Sequence, residues 1–239
     1  YDKKLKISDR DTGTRNQVTF EKCEKSIKFL QKKGFKIIRW GRFKKKISNK
    51  YNLIDLSRDP DVPHVIDFWL AKNCSFAIGS ASGPDPLVGH FQNPLLILGH
   101  WPIYYIYNFL SSLTLLPNAT WIDSKKELTL KDMLSVKYDD IDIEILKKKK
   151  IKFIGNNEQE IYLSVKQLLQ IFEKKYKPNY RFKKLQQKYW SSFKKWDIQT
   201  QKSYGFSDKI MERFMIKKHP FSKIADISLI GKSRDFFKI

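Results

Sequence analysis

The sequence predicts an α/β protein, a Rossmann-like parallel sheet with helices on both faces, followed by C-terminal helices. Three observations predict it. Short apolar runs without polar alternation, such as FKIIRWG and NPLLILG, suit strands buried on both faces. These runs alternate with helix-like segments on the scale of βαβ units. The 239 residues, 41% of them hydrophobic and 14% aromatic, suffice for a sizeable core, which excludes a disordered polyelectrolyte and a small disulfide-held scaffold.

The first unit is helix then strand. VTFEKCEKSIKFLQKKG places Phe20, Cys23, Ile27 and Leu30 on one helical face, and Gly34 supplies the stop. FKIIRWG follows as a buried strand closed by Gly41. The pattern repeats with YNLIDLS as a strand, PHVIDFWLAKN as a helix, CSFAIGS as a strand, a short helix after SGPD, and NPLLILG as a strand. Further on, LTLKDMLSV reads as a helix, YDDIDIEILKKKK as a charged stretch and IKFIG as strand-like. Asn157 and Glu160 have capping-box spacing and open the helix IYLSVKQLLQIFEKKY. Residues 180–202 form a second long helical pattern carrying Leu185, Tyr189, Trp190, Phe193 and Trp196. The organisation expected is a domain over 1–176 and a helical extension over 177–239, packed on it or on another domain.

Forty-seven Lys and Arg against 25 Asp and Glu give +22. Such a balance points to nucleic acid, anionic lipid or a polyanionic substrate, but neither half of the chain is a purely basic arm, and solvated lysine faces explain the excess equally well. Residues 86–122 contain no Asp, Glu, Lys or Arg. Pro94, Gly99, Pro102 and Pro117 interrupt that window, whereas a spanning helix needs about 20 predominantly apolar residues in a row. A transmembrane helix is therefore not expected. Tyr1 enters a polar stretch with no signal pattern, as if cut from something longer. Cys23 and Cys74, without a CxxC pair, read as thiols of a reduced intracellular protein and leave no cysteine cluster for zinc.

The segment richest in chemistry is CSFAIGSASGPDPLVGHF, where an apolar strand runs into Gly79, Ser80, Ser82 and Gly83 and then into a helix starting near Pro84. Glycines let the backbone turn tightly and approach a ligand, and the amides at a helix start form an anion site. The hydroxyls of Ser80 and Ser82 add donors, so the turn suits a diphosphate without a metal ion. It is equally a well-built helix start. Asp85 in the first turn either competes for the same amides or faces a ribose hydroxyl.

The blocks TGTRN, KFLQKKGFKIIRWGR, LIDLS, IDFWLAKNCSFAIGSASG and EIYLSVKQLLQIFEKKY, in this order and spacing, resemble a bacterial family of glycosyltransferases from surface-polysaccharide loci. The likeness spans roughly residues 12–176, with a fainter match at LQQKYW and ADISLI. It implies the C-terminal, donor-binding half of the two-Rossmann-domain GT-B architecture. On that reading, residues 1–176 hold a nucleotide-sugar as substrate, with phosphate contacts at Gly79, Ser80, Ser82 and Gly83. A preceding domain supplies the glycan or lipid-linked acceptor site and the general base. No cofactor is implied, and the location implied is cytoplasmic, with peripheral contact to the anionic inner face of the membrane.

Further donor contacts expected are Arg39 at a strand end, Asp67 early in a helix, Asp85, and Arg15 and Asn16 in the block before the first helix. Arg39 is equally an ordinary strand-end cation, and Asn16 equally a cap. His64, His90, His100 and His219 lack metal spacing, so no metal is assigned; His64 and His90 read as helix-end residues, while His90 or His100 could approach a sugar. No GxSxG elbow, Walker loop or paired-carboxylate pattern supports a hydrolase or kinase. Residues 172–203 mix ten Lys or Arg with aromatics, a pattern that reads chiefly as a packed stripe with a solvated lysine face, and secondarily as a functional surface. The expected function is donor binding in glycosyl transfer. The alternative is a non-catalytic basic α/β module that binds nucleic acid or an anionic membrane, with no sequence-specific nucleic-acid recognition expected.

Overall fold

The structure is a computed structural model, and it describes residues 18–41, 49–57, 59, 61–80, 83–101, 103, 112–136, 143–204, 223–230, 232 and 235–237, with side chains left aside for 196–204. Its elements in chain order are α1 (Phe20–Lys32), β1 (Ile38–Arg39), β2 (Ile54–Asp55), α2 (Val65–Asn73), β3 (Ala77–Gly79), α3 (Asp85–His90), β4 (Leu95–Ile97) and β5 (Ser112–Thr114). Then follow β6 (Asn118–Trp121), α4 (Leu130–Leu134), α5 (Ile143–Lys148), β7 (Ile151–Gly155), α6 (Glu158–Phe172), α7 (Tyr180–Tyr204), β8 (Lys223–Ile224) and α8 (Asp226–Leu229).

The chain is α/β and Rossmann-like. Strands β3, β4, β5 and β8 form a parallel sheet in that order, in which Ala77 pairs with Leu95, Leu95 with Ser112, and Leu113 with Lys223. Alternate residues of β4 serve opposite faces. Leu96 and Leu98 join Leu30 of α1 and Ile161, Val165 and Leu168 of α6, while Leu95 and Ile97 join Ala71 of α2 and Val88 of α3. Helices therefore cover both faces, which explains the charge-free composition of this part of the 86–122 window. No helix among the described residues is long and apolar enough to cross a membrane.

Strands β1 and β2 form a separate parallel pair, with Ile38 opposite Ile54. Ile37, just before β1, packs into the core beneath α1 and α6, and Trp40, just after it, packs into the core beneath α2 and α3. Through Ile37 and Trp40 the pair reaches the two cores that flank the four-stranded sheet, while among the described residues its strands pair only with each other.

Helix α1 ends where expected. Gly34 takes φ +87° while the amides of Gly34 and Phe35 donate to the carbonyls of Gln31 and Leu30. The capping box of α6 forms as its spacing predicts: the Glu160 amide donates to Asn157 Oδ1 at 2.9 Å, and the Asn157 amide donates to Glu160 Oε2 at 2.9 Å. Such a cap contributes about 1 kcal/mol. The Glu160 carboxylate also accepts from Asn118 Nδ2, tying α6 to β6.

IKFIG is a strand, β7, but it pairs antiparallel with β6 outside the parallel sheet. That pair, with α4, α5 and one face of α7, surrounds a third core containing Trp101, Leu128, Met133, Leu146, Tyr189 and Phe193. On α7 the stripe of Tyr189 and Phe193 is buried, and Arg181, Lys183, Lys184, Lys188, Lys194 and Lys195 face solvent. The segment after residue 177 also returns to the sheet, because β8 pairs with β5. Its other edge is met by Gln186 of α7, whose amide group both donates to the Ile224 carbonyl and accepts from the Ile224 amide.

Two carboxylates give the fold an acid-sensitive side. Hydrogen bonds from Lys28 and Lys50 hold Glu24 down to about 2. For Asp55, burial pushes the carboxyl up, but bonds from the Ser57 hydroxyl and amide and from the Arg39 guanidinium outweigh it and hold the group below its ordinary value. Both groups bind protons more weakly folded than unfolded. Their contribution is complete above the unfolded value and is lost as pH falls through the folded one, so for Glu24 it disappears between pH 4.5 and about 2. Stability measured by urea unfolding is expected to fall with pH across that window, and Glu24→Gln and Asp55→Asn each flatten the fall. An unchanged slope in both variants would contradict these assignments.

Candidate functional site

In an open parallel sheet, ligands bind outside the carboxyl ends of the strands, where the strand order reverses. Here the candidate residues stand at the carboxyl ends of β1 and β3. The end of β1 is Arg39, a buried residue. Its guanidinium Nη1 meets Asp55 Oδ2 at 3.1 Å, and Asp55 Oδ1 accepts from the Ser57 hydroxyl at 2.6 Å and the Ser57 amide at 3.1 Å. The guanidinium also lies 5.2 Å from the centre of the Phe20 ring. Arg39 thus fastens the carboxyl end of β1 to that of β2, and an anion arriving here meets a cation already paired with a carboxylate.

The end of β3 is Gly79, whose carbonyl accepts from the Leu98 amide at 2.8 Å. The bond fixes where the turn begins relative to β4. Ser80 follows, half-buried, and Gly83 is exposed at the far side of the turn. Asp85, the first residue of α3, is 5% exposed. Its carboxylate packs on the Cα of Gly79, occupying the place that a Cβ would take. Glycine at 79 is required by this close approach. A Cβ at Gly83 meets nothing within 4 Å, so that position opens to solvent.

The amides between residues 80 and 87 exclude those of Pro84 and Pro86, which have no N–H, and the Leu87 amide donates to the Pro84 carbonyl. An anion at this turn is therefore served by the segment before Pro84 more than by the helix itself. The Asp85 carboxylate sits at the positive end of α3 and complements it from within the protein.

The structure brings Gly79, Ser80, Gly83 and Asp85 together on one turn, while Arg39 ends β1 in the separate β1–β2 pair. Asp67 lies half-buried in the first turn of α2. Ser82, Arg15 and Asn16 lie outside the described residues, as does His219. His90 is exposed at the end of α3, with its ring 5.4 Å from that of Phe91, and His64 is exposed at the start of α2. His100 is buried two residues past the last hydrogen-bonded position of β4, on the ligand edge. Among the described residues no group of three His, Cys, Asp or Glu is placed to hold a metal ion.

Sequence reasoning missed four residues on this edge. Asp55 and Ser57 complete the Arg39 cluster. Asn156 and Ser228 hold the backbone beyond β5, where Asn156 Nδ2 donates to the Leu116 carbonyl at 2.7 Å and the Leu116 amide donates to Ser228 Oγ at 3.0 Å. Asp55 stood in a strand whose partner was identifiable, so pairing of strand ends was the available signal. Nothing in the local sequence marks Asn156 or Ser228, because their shared target lies 40 and 112 residues away.

Comparison with protein-family models, with curated proteins and with solved structures finds no match to this chain.

Gly79→Ala should force the Asp85 carboxylate out of its place and destabilise the fold by about 1–3 kcal/mol, the ordinary cost of overpacking. Gly83→Ala should change stability by less than about 0.5 kcal/mol. Adding Asp85→Ala to Gly79→Ala should recover part of the loss, since neighbouring sites couple. Urea unfolding of the four proteins decides this, and a Gly79→Ala variant as stable as the original would refute the packing described.

Proposed function

We propose that the chain is the donor-binding half of a glycosyltransferase, and that the turn from Gly79 to Asp85 receives the diphosphate of a nucleotide-sugar. The observation that carries this reading is the strand-turn-helix unit at the carboxyl end of β3 in the parallel sheet, with an exposed glycine opening onto solvent. The block resemblance to surface-polysaccharide glycosyltransferases supports it from the sequence side.

In this reading the residues divide their work. Gly79, Ser80, Ser82 and Gly83 approach the diphosphate with backbone amides and hydroxyls, stabilising the charge that develops on the leaving group. Asp85 holds the turn in shape through Gly79. Arg39 acts mainly through Asp55, keeping the β1 and β2 ends together at the rim. His100 is buried at the same end of the sheet, just past β4. The general base that deprotonates the attacking hydroxyl, and the contacts to a glycan or lipid-linked acceptor, belong to a preceding domain.

Nucleoside diphosphates should raise the melting temperature. A ligand that binds only the native state at a hundredfold excess over Kd contributes about 2.7 kcal/mol, a shift of about 5–10 °C for a chain of this size. EDTA should leave the shift in place. Gly83→Val should abolish it with circular dichroism unchanged, because a side chain there meets no protein atom. Silence with UDP, GDP, CDP, TDP and CMP at millimolar concentration, or equal binding by Gly83→Val, would overturn the reading.

A further inference from the structure

The turn between α6 and α7 and the solvent side of α7 carry a charge pattern that donor binding does not use. Residues 174–195 contain nine Lys and Arg and no Asp or Glu. All nine are exposed: Lys174, Lys175, Lys177, Arg181, Lys183, Lys184, Lys188, Lys194 and Lys195. The nearest carboxylate in sequence, Glu173, pairs with Lys175 at 2.9 Å. On α7, Arg181, Lys184, Lys188 and Lys195 follow one another at spacings of three, four and seven residues, which keeps them on one flank of the helix. Lys183 and Lys194 line the other flank, and Tyr189 and Phe193 point into the third core.

One aromatic side chain stands out of the surface here: Tyr180, the first residue of α7, is 71% exposed, whereas Phe172, the last of α6, packs with its ring 6.1 Å from that of Phe35 and 5.6 Å from that of Phe76. Lys184 Nζ lies 4.5 Å from the centre of the Tyr180 ring.

We propose that this corner is a docking surface for an anionic lipid bilayer, with Tyr180 entering the headgroup region and the lysines lying over acidic headgroups. Charge complementarity selects the partner class. Acid-free clusters of this kind are attracted to anionic leaflets, with each Lys or Arg adding to the binding, and tyrosine favours the interface between headgroups and hydrocarbon. The aromatics select the bilayer over single-stranded nucleic acid. A nucleic-acid surface needs rings along the basic track on which successive bases stack, and here Tyr189 and Phe193 are buried while Tyr180 stands exposed at one end. Eight of the nine cations are lysines, which act as point charges and lack the planar fork suited to bidentate phosphate recognition.

The proposal is independent of donor binding and is tested with the full chain. In a flotation assay the protein is expected to bind vesicles of phosphatidylcholine with a third of phosphatidylglycerol, and not vesicles of phosphatidylcholine alone. Binding should vanish near 1 M salt, where screening acts within about 3 Å. Charge reversal by Lys177→Glu, Arg181→Glu and Lys184→Glu together should weaken it about a hundredfold, with circular dichroism unchanged. Tyr180→Ser should weaken it further. The control triple Lys131→Glu, Lys148→Glu and Lys152→Glu removes the same charge from exposed sites elsewhere and should retain most of the binding. No binding to the anionic vesicles would overturn the proposal, and so would equal losses in the two triples. Displacement of the protein from vesicles by a single-stranded oligonucleotide at physiological salt would overturn it in favour of nucleic acid.

Discussion

Everything in the sheet depends on β4 being apolar on both faces at once. Leu95, Leu96 and Ile97 are each 0% exposed, and they divide between two cores that share no helix. Truncating one such side chain to alanine costs about 2–5 kcal/mol, a large fraction of the stability of an ordinary domain. The same constraint spaces the ligand edge. The Leu98 amide holds the Gly79 carbonyl, the Leu115 amide holds the Ile97 carbonyl and the Ala225 amide holds the Thr114 carbonyl, so each strand end is tied to the one beside it. A chemically useful turn at residue 79 is therefore positioned by leucines that touch no ligand.

The far edge of the sheet is closed by a different device. β8 is two residues long and has a paired edge only towards β5. Gln186 satisfies the other edge with a side-chain amide, imitating a strand and blunting an edge that would otherwise accept another chain. Beyond it, the Tyr176 hydroxyl donates to Asp226 at 2.8 and 2.9 Å, and the Asp226 amide donates to Gln167. Burial pushes the Asp226 carboxyl up, so its contribution is greatest in acid and is lost as pH rises, opposite in sign to those of Glu24 and Asp55.

Legibility followed locality. Helices α1 and α6, with the Gly34 stop and the Asn157–Glu160 box, were readable because periodicity and capping are set by neighbours a few residues away. β4 was readable because burial on both faces leaves an apolar run; β1, β2 and β3 were readable from short apolar runs as well, although Ile38, Ile54 and Ile78 are exposed, so the burial on both faces expected for FKIIRWG does not hold there. β5 and β8 were not, since SLT and KI have no pattern of their own and are strands only because β4 and β5 present free edges. IKFIG read as a strand, but its antiparallel partner depends on a chain reversal that no local signal specifies. The candidate site divides in the same way: the Gly-Ser turn could be read from the sequence, whereas the pairing of Arg39 with Asp55 and the seating of Asp85 on Gly79 required the tertiary fold.

The central claim is that the Gly79–Asp85 turn, at the carboxyl end of β3, is the ligand edge of the parallel sheet. Hydrogen–deuterium exchange of the full chain with and without a saturating nucleoside diphosphate tests it most directly, because exchange reports which backbone amides become protected. The account predicts slowed exchange in peptides covering residues 77–92 and 97–101, with the α6–α7 corner unchanged. Protection confined to residues 174–195, or exchange at 77–92 unaltered by ligands that bind, would contradict it.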